Sequence, residues 1–353
     1  MSFLQAIVIG LIQGITEMFP VSSLGHTVLV PALIGGSWRR LVTQQASPES
    51  PYLAYVVGLH VATALAILWA MRGEWVGIVQ GFGRSLLHRR IVDDQGRLAW
   101  LIVFATIPVG VLGISLEHQL RTLFAKPLAA ACFLTVNGVI LLVGDGIRRR
   151  SRARRTRTRR SADGTPRFPS RRGTGEFRGV TVHRTSEPGP ADVVAARDRG
   201  DDRDVDVPAP ATTTPAVANA RGSASDRFQS RIRWVDAVGI GIVQSAALLA
   251  GISRDGICMV GGLWRGLSYE DAARFAFLLS APPILAAGLL KVPDLMGPLG
   301  NGIRGQVLAG SVAAFLTASI AVRALLRWFK SRSLRPFGVY CLLFGISCVL
   351  VFA

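Results

Sequence analysis

Cysteine is scarce in this 353-residue chain, limited to Cys132, Cys258, Cys341 and Cys348. All four lie in apolar segments with no Cys-x-x-Cys and no Cys/His spacing, which argues against a disulfide framework or a structural zinc site. Their expected role is that of small buried hydrophobes. Acidic residues are also few, 22 against 40 Lys and Arg, giving a formal charge of +18. That excess does not describe a nucleic-acid-binding domain, because it is concentrated. Between Arg148 and Arg233 stand 21 Arg and 10 acidic residues, net +11, and the rest of the chain carries +7. The remainder is the moderate bias that basic membrane-flanking loops produce. The Arg-rich stretch has almost no aromatics or periodic apolar residues, so no nucleic-acid partner is expected. The apolar N-terminus lacks a basic n-region and contains a polar motif, so a cleaved signal peptide is not expected.

What the chain does have is hydrophobic length. Half its residues are hydrophobic. Candidate spans are Tyr52–Met71, Leu98–Leu116, Pro127–Ile147, Ala272–Leu290, Gln306–Leu326 and Phe337–Ala353. Each is roughly 17–21 residues, enough to cross about 30 Å of hydrocarbon as a helix. The sequence thus predicts an all-α polytopic membrane protein in three parts: a membrane half over 1–147, a disordered Arg-rich insert over 148–233, and a second membrane half over 234–353. The stretches Arg72–Arg97 and Arg327–Arg335 read as basic loops, and with the insert they are assigned to the cytoplasm.

Two polar motifs interrupt the apolar pattern. The first is Gln13-Gly14-Ile15-Thr16-Glu17-Met18-Phe19-Pro20-Val21-Ser22-Ser23-Leu24-Gly25-His26. The second runs Gln244-Ser245-Ala246-Ala247-Leu248-Leu249-Ala250-Gly251-Ile252-Ser253-Arg254-Asp255-Gly256. Residues 1–36 and 234–264 are both broken by Gly or Pro, which membrane-depth backbone tolerates only when buried in protein or lining a cavity. Both read as re-entrant helix pairs. On the charge-based topology the first enters from outside and the second from the cytoplasm. Each half is then a re-entrant pair plus three transmembrane helices, in inverted orientation, with a shared polar site where the pairs meet. The motifs echo each other: Gln13 leads to Ser22-Ser23 and Gly25, as Gln244 leads to Ser253-Arg254 and Gly256.

Polar and charged groups at such depth mark a functional site. The types present suit the holding and attack of a phosphate. Arg254 offers a fixed fork of donors for phosphate, or alternatively a structural ion pair with Asp255. Ser23 and Ser22 are candidate nucleophiles or N-caps, with Ser22 assigned the cap and Ser23 the reaction. His26, three residues beyond Ser23, is the candidate base or acid, with direct attack to give a phosphohistidine left open. Gln13 and Glu17 share a helical face, and Glu17 could ligate Mg²⁺ or Ca²⁺ or orient His26. Gln13, Thr16, Ser22, Ser253 and Gln244 are the expected phosphate-binding groups.

The first motif resembles the signature of the undecaprenyl-diphosphatase family of bacterial membrane enzymes, also known for bacitracin resistance. The second, with Arg274-Phe275-Ala276-Phe277-Leu278-Leu279 and Pro282-Pro283, is similar to that family's other characteristic region. The likeness covers both membrane halves and leaves out the insert. It implies a multi-pass enzyme of the bacterial plasma membrane that hydrolyses a polyprenyl diphosphate to the monophosphate and recycles the cell-wall lipid carrier. It also implies a cavity opening to the outer face and a divalent cation. The implied partners are the lipid substrate and membrane lipids, and a homodimer is compatible with the sequence. The second motif departs from the family pattern: Pro-Gly-x-Ser-Arg-Ser-Gly reads Ala250-Gly251-Ile252-Ser253-Arg254-Asp255-Gly256, and an expected Thr is Cys258. Asp255 either faces away from the anion, or ligates a metal, or weakens activity. The competing function is a polyprenyl-phosphate flippase or transporter, because the same architecture serves both.

Overall fold

The computed structural model describes residues 1–43, 51–116, 126–162, 232–297 and 300–353, and among these every regular element is helical. The expected disorder of the insert falls mostly on 163–231, outside the described residues. Both membrane halves belong to one compact unit, Met1–Thr156 with Gly222–Ala353.

The first half opens with α1 (Phe3–Met18), started by a capping box in which Ser2 Oγ accepts from the Gln5 N–H and Gln5 Oε1 accepts from the Ser2 N–H. The chain turns extended at Phe19, passes Pro20, and resumes as α2 (Ser23–Ile34), followed by the short α3 (Gly36–Thr43). At 1.5 Å per residue α1 and α2 reach about 24 and 18 Å, too short to span a membrane singly. A bent pair follows, α4 (Pro51–Ala70) and α5 (Arg72–Leu87), meeting at 89°. The long α6 (Asp94–Ser115) and α7 (Pro127–Ala162) complete the half.

The second half also opens with a broken helix pair. α8 (Trp234–Gln244) runs into a 3₁₀ turn over Ser245–Leu248, the backbone breaks, and α9 (Arg254–Trp264) resumes. Then come α10 (Tyr269–Met296), α11 (Arg304–Trp328) and α12 (Arg335–Phe352). Among the described residues five helices are long and apolar enough to cross a membrane, and the bent α4/α5 pair can supply a sixth span. The outer faces of α11 and α12 carry Leu308, Leu316, Ile320, Leu343 and Leu350, each more than half exposed, as a lipid-facing surface requires.

The two halves grip each other reciprocally. α1 packs on α11 of the second half, and α8 packs on α6 of the first. Both crossings are tight enough to require glycine: a Cβ at Gly10 would overlap the Gly310 carbonyl, and one at Gly241 would overlap that of Ala105.

Two sequence readings need correction. The stretch Arg72–Arg97 is not simply a loop, because α5 occupies most of it: Trp75, Ile78 and Phe82 recur at helical spacing against the core, while Arg84 turns out to pair with Asp93 at 2.5 Å. The first half does not end at 147 either. α7 continues as a helix to Ala162, and Arg149 is anchored one turn back on Asp145 at 2.8 Å.

Candidate active site

The site forms where both helix breaks meet. On α1, Gln13 and Glu17 stand one turn apart, and Gln13 Nε2 donates to Glu17 Oε2 at 2.9 Å. The Ser23 hydroxyl, at the first residue of α2, donates to the same oxygen in a short contact. A third group arrives from α4: His60 Nε2 lies 3.3 Å from Glu17 Oε2. His60 Nδ1 is 2.8 Å from the Val56 carbonyl, which can only accept, so Nδ1 carries a proton.

Glu17, Ser23 and His60 line a cavity of about 30 Å³ with Leu24, Ala247, Ile252, Ser22, Ser253 and Arg254. The N-termini of α2 and α9 both border it, each capped in the same way. Ser22 Oγ accepts from Gly25 N at 3.3 Å, and Ser253 Oγ from Gly256 N at 3.1 Å. Two helix N-termini facing one void give it a positive potential suited to an anion. Arg254 adds a full charge. It makes one weak hydrogen bond, to the Ser280 carbonyl at 3.5 Å, its Nε has no partner, and it forms no ion pair among the described residues.

The breaks are cross-braced. Ser22 Oγ also accepts from Gly251 N at 3.1 Å, tying the first motif to the second. Ser22 holds φ at 70°, a conformation that costs about 1–3 kcal/mol in a non-glycine residue and that these bonds sustain. Asn137, fully buried on α7, donates to the Pro20 carbonyl at 3.1 Å and accepts from Ser253 N at 3.0 Å. One amide thus satisfies a backbone group in each broken segment.

Of the residues singled out in the sequence, Glu17, Ser22, Ser23, Ser253 and Arg254 line the void, with Gln13 buried behind Glu17. Three others do not reach it. His26 bonds the Ser22 carbonyl through Nδ1 at 2.7 Å and the Tyr340 hydroxyl through Nε2 at 2.8 Å, and stacks on Tyr340 and Phe344. Thr16 spends its hydroxyl on the Ile12 carbonyl of its own helix at 2.6 Å. Gln244 donates to the Ala105 carbonyl at 2.8 Å and pins α8 to α6. The Arg254–Asp255 ion pair does not form: Asp255 is buried, faces α10, and accepts a short bond from the Ser280 hydroxyl. Asp255 is not among the residues that line the void. Sequence reasoning missed His60 and Asn137. Their signal was available, since each is a polar side chain inside a predicted span.

The donor set also bears on a cation. Among the described residues no group of three or more His, Cys, Asp or Glu converges. Glu17 is the one carboxylate on the void, so the chain alone offers far fewer oxygens than a Ca²⁺ cage needs. It fits the Mg²⁺ pattern of one carboxylate with the other ligands from phosphate and water.

With this geometry in view, the comparisons are consistent from end to end. Residues 6–166 and 212–347 match the family model described as bacitracin resistance protein BacA. The chain is 50% identical over 359 residues to undecaprenyl-diphosphatase 2 of Frankia alni, covering 100% of this chain and 98% of that one. It is 48% identical over 372 residues to undecaprenyl-diphosphatase 1 of Frankia casuarinae, covering 99% and 98%. Against the undecaprenyl-diphosphatase of Mycolicibacterium paratuberculosis the identity is 46% over 349 residues, 98% of this chain and 95% of that one. A match that takes in both broken segments and all the predicted spans leaves one assignment: this chain belongs to the bacitracin resistance protein BacA family.

Proposed function

We propose that the chain is an integral membrane phosphatase that hydrolyses undecaprenyl diphosphate to undecaprenyl phosphate and inorganic phosphate. The observation that carries this is a serine hydroxyl hydrogen-bonded to a carboxylate, in a void bordered by two helix N-termini and an arginine with no ion-pair partner among the described residues. Transport alone requires no such nucleophile and base.

In this reading Arg254 and the N-termini of α2 and α9 hold the terminal phosphoryl group, and Ser23 Oγ attacks its phosphorus. The Ser23 proton passes to Glu17. The bond from phosphorus to the bridging oxygen breaks, and undecaprenyl phosphate leaves with that oxygen. Water then cleaves the phosphoserine, releasing inorganic phosphate and returning the proton to Ser23. His60, 3.3 Å from the same carboxylate oxygen, keeps Glu17 oriented. Arg254, tethered among the described residues by one long hydrogen bond, is suited to adjusting around the phosphoryl group. A Mg²⁺ ion held by Glu17 and the diphosphate would neutralise substrate charge.

The broken helix pair that opens each half and the reciprocal docking of the halves support the inverted-repeat arrangement. Basic residues gathered near one set of helix ends support a site open to the outer face.

The test is release of inorganic phosphate from C55 diphosphate by purified protein, with and without chelator. Turnover that falls on chelation and falls at least ~10²-fold in Ser23→Ala supports the reading. Lipid movement across vesicles without phosphate release would sink it.

A further inference from the structure

A second polar cavity, of about 980 Å³, lies at the helix ends rather than at the breaks, lined by Arg148, Arg149, Trp328, Lys330, Arg332 and Glu270 among others. Four cations face one carboxylate there, and Glu270 already shares its charge with Arg274 at 3.4 Å. The arginine side of the cup is built on a fixed base. Asp145, wholly buried on α7, accepts from the Tyr269 hydroxyl at 2.7 Å through Oδ1, and its Oδ2 is ion-paired with Arg149 Nε at 2.8 Å and Arg335 Nε at 3.2 Å. That carboxylate lies beneath the cup and offsets Arg149 and Arg335, while Lys330 and Arg332 form no ion pair with it among the described residues. Arg332 stacks 4.6 Å from the Trp328 ring, which donates Nε1–H to the Ser333 carbonyl at 3.4 Å. Lys330 has no side-chain partner among the described residues and is exposed.

The position of the cup selects its ligand. Asn137 touches both helix breaks, and Arg149 lies twelve residues further along the same helix. At 1.5 Å per residue the rise is about 18 Å, slightly more than half of a ~30 Å hydrocarbon core. The apolar part of α7 ends here at Arg150, α10 begins at Tyr269, α11 ends at Trp328 and α12 begins at Arg335. All four terminate at one level, with a tryptophan at the edge, as at a membrane–water boundary.

We propose that this cup binds the phosphodiester headgroup of an anionic phospholipid from the leaflet at that face. The cations supply charge-assisted donors to the phosphate oxygens, and Trp328 sits at headgroup depth. A soluble anion would gain the same charge contacts but nothing from the level of the site.

The experiment uses the full chain, purified and delipidated in neutral detergent, with thermal melting and native mass spectrometry as readouts. Probes are phosphatidylglycerol, phosphatidylcholine and inorganic phosphate. Wild type should retain phosphatidylglycerol preferentially and melt higher with it than with phosphatidylcholine. Lys330→Gln with Arg332→Gln, both exposed and outside the Asp145 cluster, should lose about 10-fold or more in apparent affinity, at roughly fivefold per basic residue near the surface. Lys330→Gln alone should lose about half of that on a logarithmic scale, which keeps the test open if the double variant folds poorly. Equal retention of the two lipids, or an undiminished preference in either variant, would overturn the proposal. Stabilisation by inorganic phosphate equal to that by phosphatidylglycerol would make the cup a free-anion site and overturn it as well.

Discussion

Replacing Arg254 by alanine is the most discriminating perturbation of the site. Among the described residues its guanidinium contributes to no ion pair, and its one hydrogen bond, to the Ser280 carbonyl, is long. Little folding stability rests on it, so its removal should be felt in turnover. A unit charge about 4 Å from a phosphoryl oxygen is worth on the order of 4 kcal/mol at an effective dielectric near 20. Losing a preorganised donor of this kind costs about 10²–10³-fold in kcat. Phosphate release from C55 diphosphate by Arg254→Ala should therefore fall by at least ~10²-fold, with the melting temperature unchanged. Arg254→Lys should recover only part, because an ammonium does not reproduce the bidentate fork. The decisive variant adds Asp255→Ala to Arg254→Ala. Asp255 bonds Ser280 rather than Arg254, so the double change should restore nothing. Near-wild-type hydrolysis by the double variant would mean that the guanidinium merely offsets the neighbouring carboxylate, and the phosphate-clamp reasoning would have to be given up.

Other perturbations separate chemistry from support. Asn137→Ala strands the Pro20 carbonyl and the Ser253 N–H, each unmade bond costing about 1–3 kcal/mol, so chemical denaturation should register a loss of at least ~2 kcal/mol alongside reduced activity. His26→Asn and Tyr340→Phe should lower activity and melting temperature together, since His26 acts through the Ser22 carbonyl, whereas Ser23→Ala should lower activity alone. An equal melting temperature in His26→Asn and wild type would contradict that assignment. Outside the spans, the Gly96 N–H and the Arg84 guanidinium hold the Asp93 carboxyl below the usual carboxylate range. A depressed value means stability that is present above the ordinary carboxylate pKa and lost as pH falls through the lower one. Wild type should thus lose its stability margin over Asp93→Asn below about pH 4, the effect being small because the pair is exposed.

The membrane architecture was legible because apolar length is a direct consequence of bilayer thickness, and all six predicted spans coincide with helices. The helix breaks were legible for a similar reason, since Pro20 and Gly251 interrupt apolar runs that would otherwise continue. Spacing was a weaker guide to the site. Ser23 and His26 are three residues apart, yet the imidazole turns towards α12, because aromatic rings there offer it two stacking partners. Gln244 echoes Gln13 in position but meets the Ala105 carbonyl instead of a carboxylate, a difference set by tertiary packing that no local pattern encodes. His60 went unnoticed within an apolar span whose hydropathy it barely changes, and only the bundle brings it to Glu17. The α5 helix was hidden by its arginines, which sit near its ends while Trp75, Ile78 and Phe82 pack against the core.

The reciprocal docking of α1 on α11 and α8 on α6 has a consequence for how the protein is made. During synthesis the first arm emerges some 300 residues before the helix it packs against. Until α11 arrives, Gly10 and Gly14 face lipid or each other's neighbours, and the polar cluster around Glu17 lacks half of its enclosure. The early half is therefore an unfinished client, dependent on insertion machinery to shelter a carboxylate from hydrocarbon. Conversely, a chain cut between 163 and 231 would leave two pieces that hold each other's missing surface. Co-expressed, they should assemble as a two-component enzyme, whereas either piece produced singly should be a substrate for membrane proteolysis.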